Sequence, residues 1–128
     1  MYNKISNTAD RRMIETEFGI KFKYPKLYKK SFIINGANEA TISLITMEEP
    51  HIINFGIWGI LPENYKEEWL DFQNVVDTLS VAKDRINNEE LFEQPCKLRR
   101  CLIIVTGFFI HHLHEGVLYP YYVHQTAK

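Results

Sequence analysis

Three histidines crowd one short stretch of this sequence, His111, His112 and His114. Imidazole is a common zinc ligand, and on a strand His112 and His114 would share a face with Ile110. A zinc site needs a third or fourth ligand, and spacing alone cannot bring Cys96 or Cys101 to that face. Just before the Glu115-Gly116 turn, exposed histidines at a hairpin tip are the plainer reading, so no metal is expected. Arg99 and Arg100 could contact phosphates. Neighbours on a strand point to opposite faces, however, so at most one would reach a given site, and a solvated edge is the plainer reading. Lys21, Lys23, Lys26, Lys29 and Lys30 read as solvated surface rather than a track for nucleic acid. The sequence has no phosphate loop, no Ser-His-Asp order and no convincing carboxylate pair, and no cofactor is expected.

The elements that must position these residues fit one domain over residues 1–128 with a modest core. A hydrophobic content of 45% and an aromatic content of 13% argue for a packed globule. The net charge of -1 leaves room for a local basic patch but not for a globally basic nucleic-acid binder. Two cysteines without metal or disulfide spacing fit a reducing cytoplasm, and residues 1–10 are too polar for a signal peptide. The longest apolar run, residues 101–110, is too short to span a bilayer, so a soluble cytoplasmic chain is expected.

Asn7 or Thr8 can cap a helix carrying Met13, Ile14 and Phe18 that stops at Gly19. Residues 31–34 and 41–46 read as strands around the turn-rich Asn35-Gly36-Ala37-Asn38, and residues 52–60 as another. Tyr65, Trp69 and Phe72 fall on one helical stripe. Asn88 starts a further helical turn that Pro95 limits. Residues 98–109 read as one apolar, central strand, turned back at Glu115-Gly116 into residues 117–124. The expected class is mainly β (α+β) with two or three short peripheral helices.

Several segments in this order resemble the SOS-response-associated peptidase (SRAP) family. Glu17-Phe18-Gly19 with Phe22 and Pro25 matches its first helix and exit, and Asn35-Gly36-Ala37-Asn38 with Leu44-Ile45-Thr46 and Glu49-Pro50 matches the approach to its second strand. Gly56-Ile57-Trp58-Gly59-Ile60-Leu61-Pro62 resembles its Trp-Gly-Leu-Ile-Pro motif. Arg99-Arg100-Cys101-Leu102-Ile103 and Gly107-Phe108-Phe109 resemble Arg-Arg-Cys-Leu followed by Gly-Phe-Tyr-Glu-Trp, and Pro120-Tyr121-Tyr122-Val123 its closing strand. Each segment alone is weak; their common order over residues 2–124 is specific, and corresponds to the N-terminal part of the family domain. The resemblance implies an open, barrel-like sheet assembly with peripheral helices.

It also implies a chemistry. Family members use a cysteine exposed by removal of Met1, whose thiol and α-amine condense with the ring-opened aldehyde of an abasic sugar to give a thiazolidine crosslink to DNA. Here that position is Tyr2, whose phenol cannot form the ring and whose bulk opposes Met1 removal. The family's Asn-Ala-Arg-x-Glu-Thr falls on Ser80-Val81-Ala82-Lys83-Asp84-Arg85, so its orienting Asn becomes Ser80 and its phosphate-gripping Arg becomes Ala82. The general acid/base Glu falls on Ile110, which has no proton to exchange. The family's catalytic His lies in a segment later than this chain reaches, and His124 is in no matching motif. The implied reading is a catalytically inactive SRAP-like protein of the DNA damage response that binds single-stranded or abasic DNA weakly. Trp58, Arg99 and Arg100 are the candidate nucleic-acid contacts, with Trp58 either stacking on a base or packing as a half-buried strand residue. Tyr2 could stack as a non-covalent cap. Two alternatives stand beside this reading. One is a protein-interaction module using an exposed sheet edge, through self-association or a partner chain that covers what relatives bury. The other is a metal-binding protein built on the histidine cluster.

Overall fold

Apolar side chains set at strand spacing on both halves of this chain build two sheets, described over residues 3–126 in a computed structural model. In chain order the elements are β1 (Lys4–Asn7), α1 (Arg11–Phe18), β2 (Lys21–Phe22), β3 (Ser31–Asn35), β4 (Thr41–Thr46), β5 (Ile52–Ile57), α2 (Trp69–Val75), α3 (Glu90–Leu98), β6 (Cys101–Ile103), β7 (Gly107–His114) and β8 (Val117–Val123). One sheet has the order β3-β1-β7-β8, the other β2-β5-β4-β6. Among the described residues only β2 and β5 run parallel; the other pairings are antiparallel. This is an α+β fold in which neither sheet closes into a barrel, the open assembly expected from the sequence. No helix among the described residues is long and apolar enough to cross a membrane.

The core lies beneath the second sheet, where Ile14 of α1 packs on Phe22, Ile53 and Ile104. The Phe22 ring meets Tyr28 at 4.9 Å and Phe55 at 5.7 Å. The two sheets are joined by a polar seam. Buried Asn7 donates through Nδ2 to the Ile104 carbonyl at 3.2 Å and accepts from the Tyr28 hydroxyl at 3.1 Å. The Ile104 N–H in turn donates to the Ser43 carbonyl at 3.0 Å, so one residue links both sheets. Bonds at both ends of its side-chain amide are what permit Asn7 to sit inside.

That seam corrects the single central strand expected over residues 98–109. Leu98 closes α3, Cys101–Ile103 forms β6 at the edge of the second sheet, and Gly107 starts β7 in the first. The Thr106 N–H donates to the Ser6 carbonyl at 2.8 Å and fixes the crossing between them. Pro95 does not end its helix either. α3 runs through it to Leu98, and the Pro95 carbonyl accepts from the Arg99 N–H at 2.9 Å. A proline removes only its own N–H and leaves its carbonyl usable. The helix stop at Gly19 forms as expected, its N–H donating to the Glu15 carbonyl at 2.9 Å, but neither Asn7 nor Thr8 is the N-cap, which is Asp10.

The β7–β8 hairpin forms with Glu115 at φ 50° and Gly116 at φ 78°, two consecutive positive values. This is the type I′ pattern, which matches the right-handed strand twist and favours glycine. A Gly116→Ala variant should lose about 1 kcal/mol in a urea melt, since alanine is strained at that φ. No measurable loss would mean that the turn readjusts freely.

Candidate functional site

The start of the chain and the exit of β5 meet at one place. The Gly36 N–H donates to the Asn3 carbonyl at 2.8 Å, and the Trp58 N–H donates to the Ala40 carbonyl at 2.9 Å. Gly36 lies directly against the Trp58 indole. A Cβ there would sit 2.9 Å from two ring carbons and 3.3 Å from Leu79 Cδ2, so only glycine fits without a shift. The Trp58 indole N–H donates to the Leu79 carbonyl at 2.9 Å. The segment carrying Leu79 is itself latched: the buried Thr78 hydroxyl accepts from the Ile60 N–H at 2.8 Å, and the Leu79 N–H donates to Asp77 Oδ1 at 2.9 Å. Ser80 follows immediately and is exposed.

Ile110 reaches the same neighbourhood through β1. Ile5 pairs with Phe108, and carrying that antiparallel register two residues further brings Ile110 level with Asn3. Ile110 is half-buried and pairs with Tyr121 on β8. Trp58 is thus tied to Asn3 through Gly36, Ser80 follows the Leu79 that holds the indole, and the extended register sets Ile110 level with Asn3. Tyr2 lies outside the described residues. Around Asn3 the chain presents an indole, a glycine, leucine and isoleucine alkyl groups and one serine hydroxyl. These groups can pack, stack or donate a hydrogen bond, and the Asp77 carboxylate beside them accepts from the Leu79 N–H.

The other candidates lie elsewhere. Arg99 caps the end of α3 and Arg100 leads into β6, so neither sits in a strand. β6 enters the sheet at Thr46, whereas Trp58 leaves it beside Thr41, at the other end of β4. Five strand steps of about 3.3 Å separate those ends by roughly 16 Å. Ala82 is exposed and precedes a short 3-10 turn, Lys83–Arg85. In the lysine run, Lys30 pairs with Asp10 at 2.8 Å and Lys23 with Glu49 at 3.5 Å, which offsets part of its charge.

On the hairpin, the His112 and His114 rings stack at 6.3 Å and His114 lies 3.8 Å from Glu115. No three His, Cys, Asp or Glu side chains among the described residues converge as a metal-binding group. Burial, with the Glu48 carboxylate adding to it, pushes the Cys101 thiol up from its ordinary value. That lowers its thiolate fraction at neutral pH and makes it a poor nucleophile. A cleft of about 430 Å³ between the sheets is lined by Ile5, Asn7, Tyr28, Ile34 and Phe55, with Lys26 and Lys29 also on its wall.

Sequence reasoning missed the clamp itself. Asn35-Gly36 signalled a turn, but nothing local signals that Gly36 must admit an indole from Trp58, or that Leu79 supplies its acceptor. Replacing Trp58 by Phe keeps a ring and removes the N–H. We expect this to cost about 1 kcal/mol in a urea melt, because the Leu79 carbonyl loses its donor. An unchanged midpoint would show that the indole bond is not needed to hold the clamp.

A family model described as SOS response associated peptidase (SRAP) matches residues 1–128. Among solved structures, the X-ray crystal structure of a protein from Bacteroides thetaiotaomicron is similar with a TM-score of 0.79 and 20% sequence identity. The match covers 94% of this chain and 53% of that one, so this chain spans about half the length of that relative. At that identity the likeness concerns the fold alone. No curated protein matches this chain.

Proposed function

This chain belongs to the SOS response associated peptidase (SRAP) family, and we propose that it is a non-catalytic member that holds single-stranded or damaged DNA without forming a covalent bond. Membership connects the chain to the response to DNA damage. The observation that supports the absence of chemistry is the side-chain set around Asn3. An alkyl group, Ile110, stands level with the entry to β1, and Ser80 stands next to the carbonyl that anchors Trp58. General acid/base catalysis needs a positioned group that exchanges a proton, and an alkyl side chain has none.

Binding without catalysis is consistent with the surface. The net charge of -1 and an exposed alanine at position 82 leave few phosphate contacts. Binding should therefore be weak and indifferent to base sequence, and salt should weaken it through the release of condensed counterions. In fluorescence anisotropy with a single-stranded oligonucleotide, the slope of log K against log salt should be shallower by about one unit than for a relative with arginine at position 82. Tight binding at physiological salt that is selective for abasic sites would overturn the reading. The exposed apolar face of the β7–β8 hairpin supports a second role in protein association.

A further inference from the structure

We infer that the outer part of the β7–β8 hairpin is a self-association surface, and that a second copy of this chain covers it. Among the described residues, β1 pairs with β7 at Gly107 and Phe108, whereas β8 pairs with β7 from Phe108 to His114. By that register the tip of the hairpin, Leu113 to Leu118, lies beyond the reach of β1 and is held by β7–β8 pairing, a form that is at best marginally stable in water without further packing. On one face of the hairpin, Phe108, Ile110, Val117, Tyr119 and Tyr121 are cross-strand or alternate neighbours. Val117 is 51% exposed and Tyr121 52% exposed, with Phe108 and Tyr119 close behind. Half-exposed aromatic and aliphatic side chains of this size amount to an apolar patch on the order of 500 Å². Two such patches face to face bury about 1,000 Å², the area at which specific interfaces begin.

Charge selects the occupant. The face carries no lysine, arginine or carboxylate. Its titratable groups are His112 and His114 beside the two tyrosines, with Glu115 on the turn next to His114. A surface of this kind buries against itself without stranding a charge, whereas a nucleic acid needs cations for its phosphates. Ile110 bears directly on the patch. It lies between Phe108 and His112 on its strand and opposite Tyr121, so a carboxylate there would interrupt the apolar face at its middle.

The geometry also weakens simple strand addition at β8. A two-residue I′ turn makes His114–Val117 a hydrogen-bonded pair, and alternation then makes His111–Pro120 a non-hydrogen-bonded one. The backbone of Pro120 thus faces the open edge, where it has no N–H to offer. Association is by faces, in an isologous pair.

The inference does not rest on DNA binding, because the test measures mass without DNA. In sedimentation velocity across a wide concentration range, the full chain should pass from monomer to dimer as concentration rises. Tyr121→Arg should raise the dissociation constant about tenfold or more, with an unchanged circular dichroism spectrum since the side chain is exposed. Ile110→Glu should do the same, and Leu118→Arg, on the opposite face of the same strand, should leave the dimer intact. A wild-type chain that stays monomeric throughout would overturn the inference. So would a dimer that survives Tyr121→Arg or is lost with Leu118→Arg. A monomer whose oligonucleotide binding disappears with Tyr121→Arg would also overturn it, and would assign the face to nucleic acid.

Discussion

A Tyr2→Cys variant is expected to crosslink abasic single-stranded DNA about 10²–10⁴-fold more slowly than a family member that carries the full Asn and Glu set. The substitution supplies a thiol and a small second residue that permits Met1 removal. Geometry and proton transfer stay missing. Ser80 is shorter than Asn and lacks the amide that would orient the nucleophile, and Ile110 moves no proton. Proximity lowers a barrier only when the reacting groups are held in place. Adding Ser80→Asn and Ile110→Glu together should help more than either alone, because the two act on one transition state. A time course of covalent adduct, with mass spectrometry to confirm Met1 loss, reads the effect. A single Tyr2→Cys variant as fast as an intact relative would show that Ser80 and Ile110 do not stand at the catalytic positions.

Ile53→Ala should be among the most destabilising single changes in the chain. Ile53 is 0% exposed and packs with Ile14, Phe22 and Ile104, so truncation opens a cavity bounded by a helix and strands. β5 is held on both sides, by β2 at Phe22↔Ile53 and by β4, and the Ile53 carbonyl accepts from the Lys23 N–H at 2.9 Å. A site fixed this firmly collapses little, which sets the loss at about 3–4 kcal/mol within the usual range for such truncations. Ile53→Val should cost only about 1 kcal/mol. Leu70→Ala, at an exposed position of α2, should move stability by less than about 0.5 kcal/mol. Urea melts at low protein concentration keep association out of the comparison. A loss below about 1 kcal/mol for Ile53→Ala would place the core elsewhere.

What could be read from the sequence follows from how local each signal was. β4 forms at residues 41–46 as expected, because alternation and flanking turn residues are local. The hairpin and the Gly19 stop formed for the same reason, since each depends on a φ that glycine adopts easily. β1 was missed. Lys4-Ile5-Ser6-Asn7 has one apolar residue in four, yet Ser6 and Asn7 are buried, at 0% and 2% exposure. Asn7 is paid for by bonds to Ile104 and Tyr28, partners that lie 97 and 21 residues away. The apolar run at 98–109 misled because hydrophobicity does not say where a chain changes sheets. At the site, the family's positions could be found by resemblance, whereas the Gly36–Trp58–Leu79 clamp depends on contacts between distant segments that no spacing encodes.

The most direct test of the account is to incubate the unaltered chain with abasic single-stranded DNA at low salt and divide the mixture between native and denaturing gels. The expected result is a shifted band in the native gel that fades as salt rises, and no adduct in the denaturing one. An adduct that survives denaturation and grows with time would contradict it.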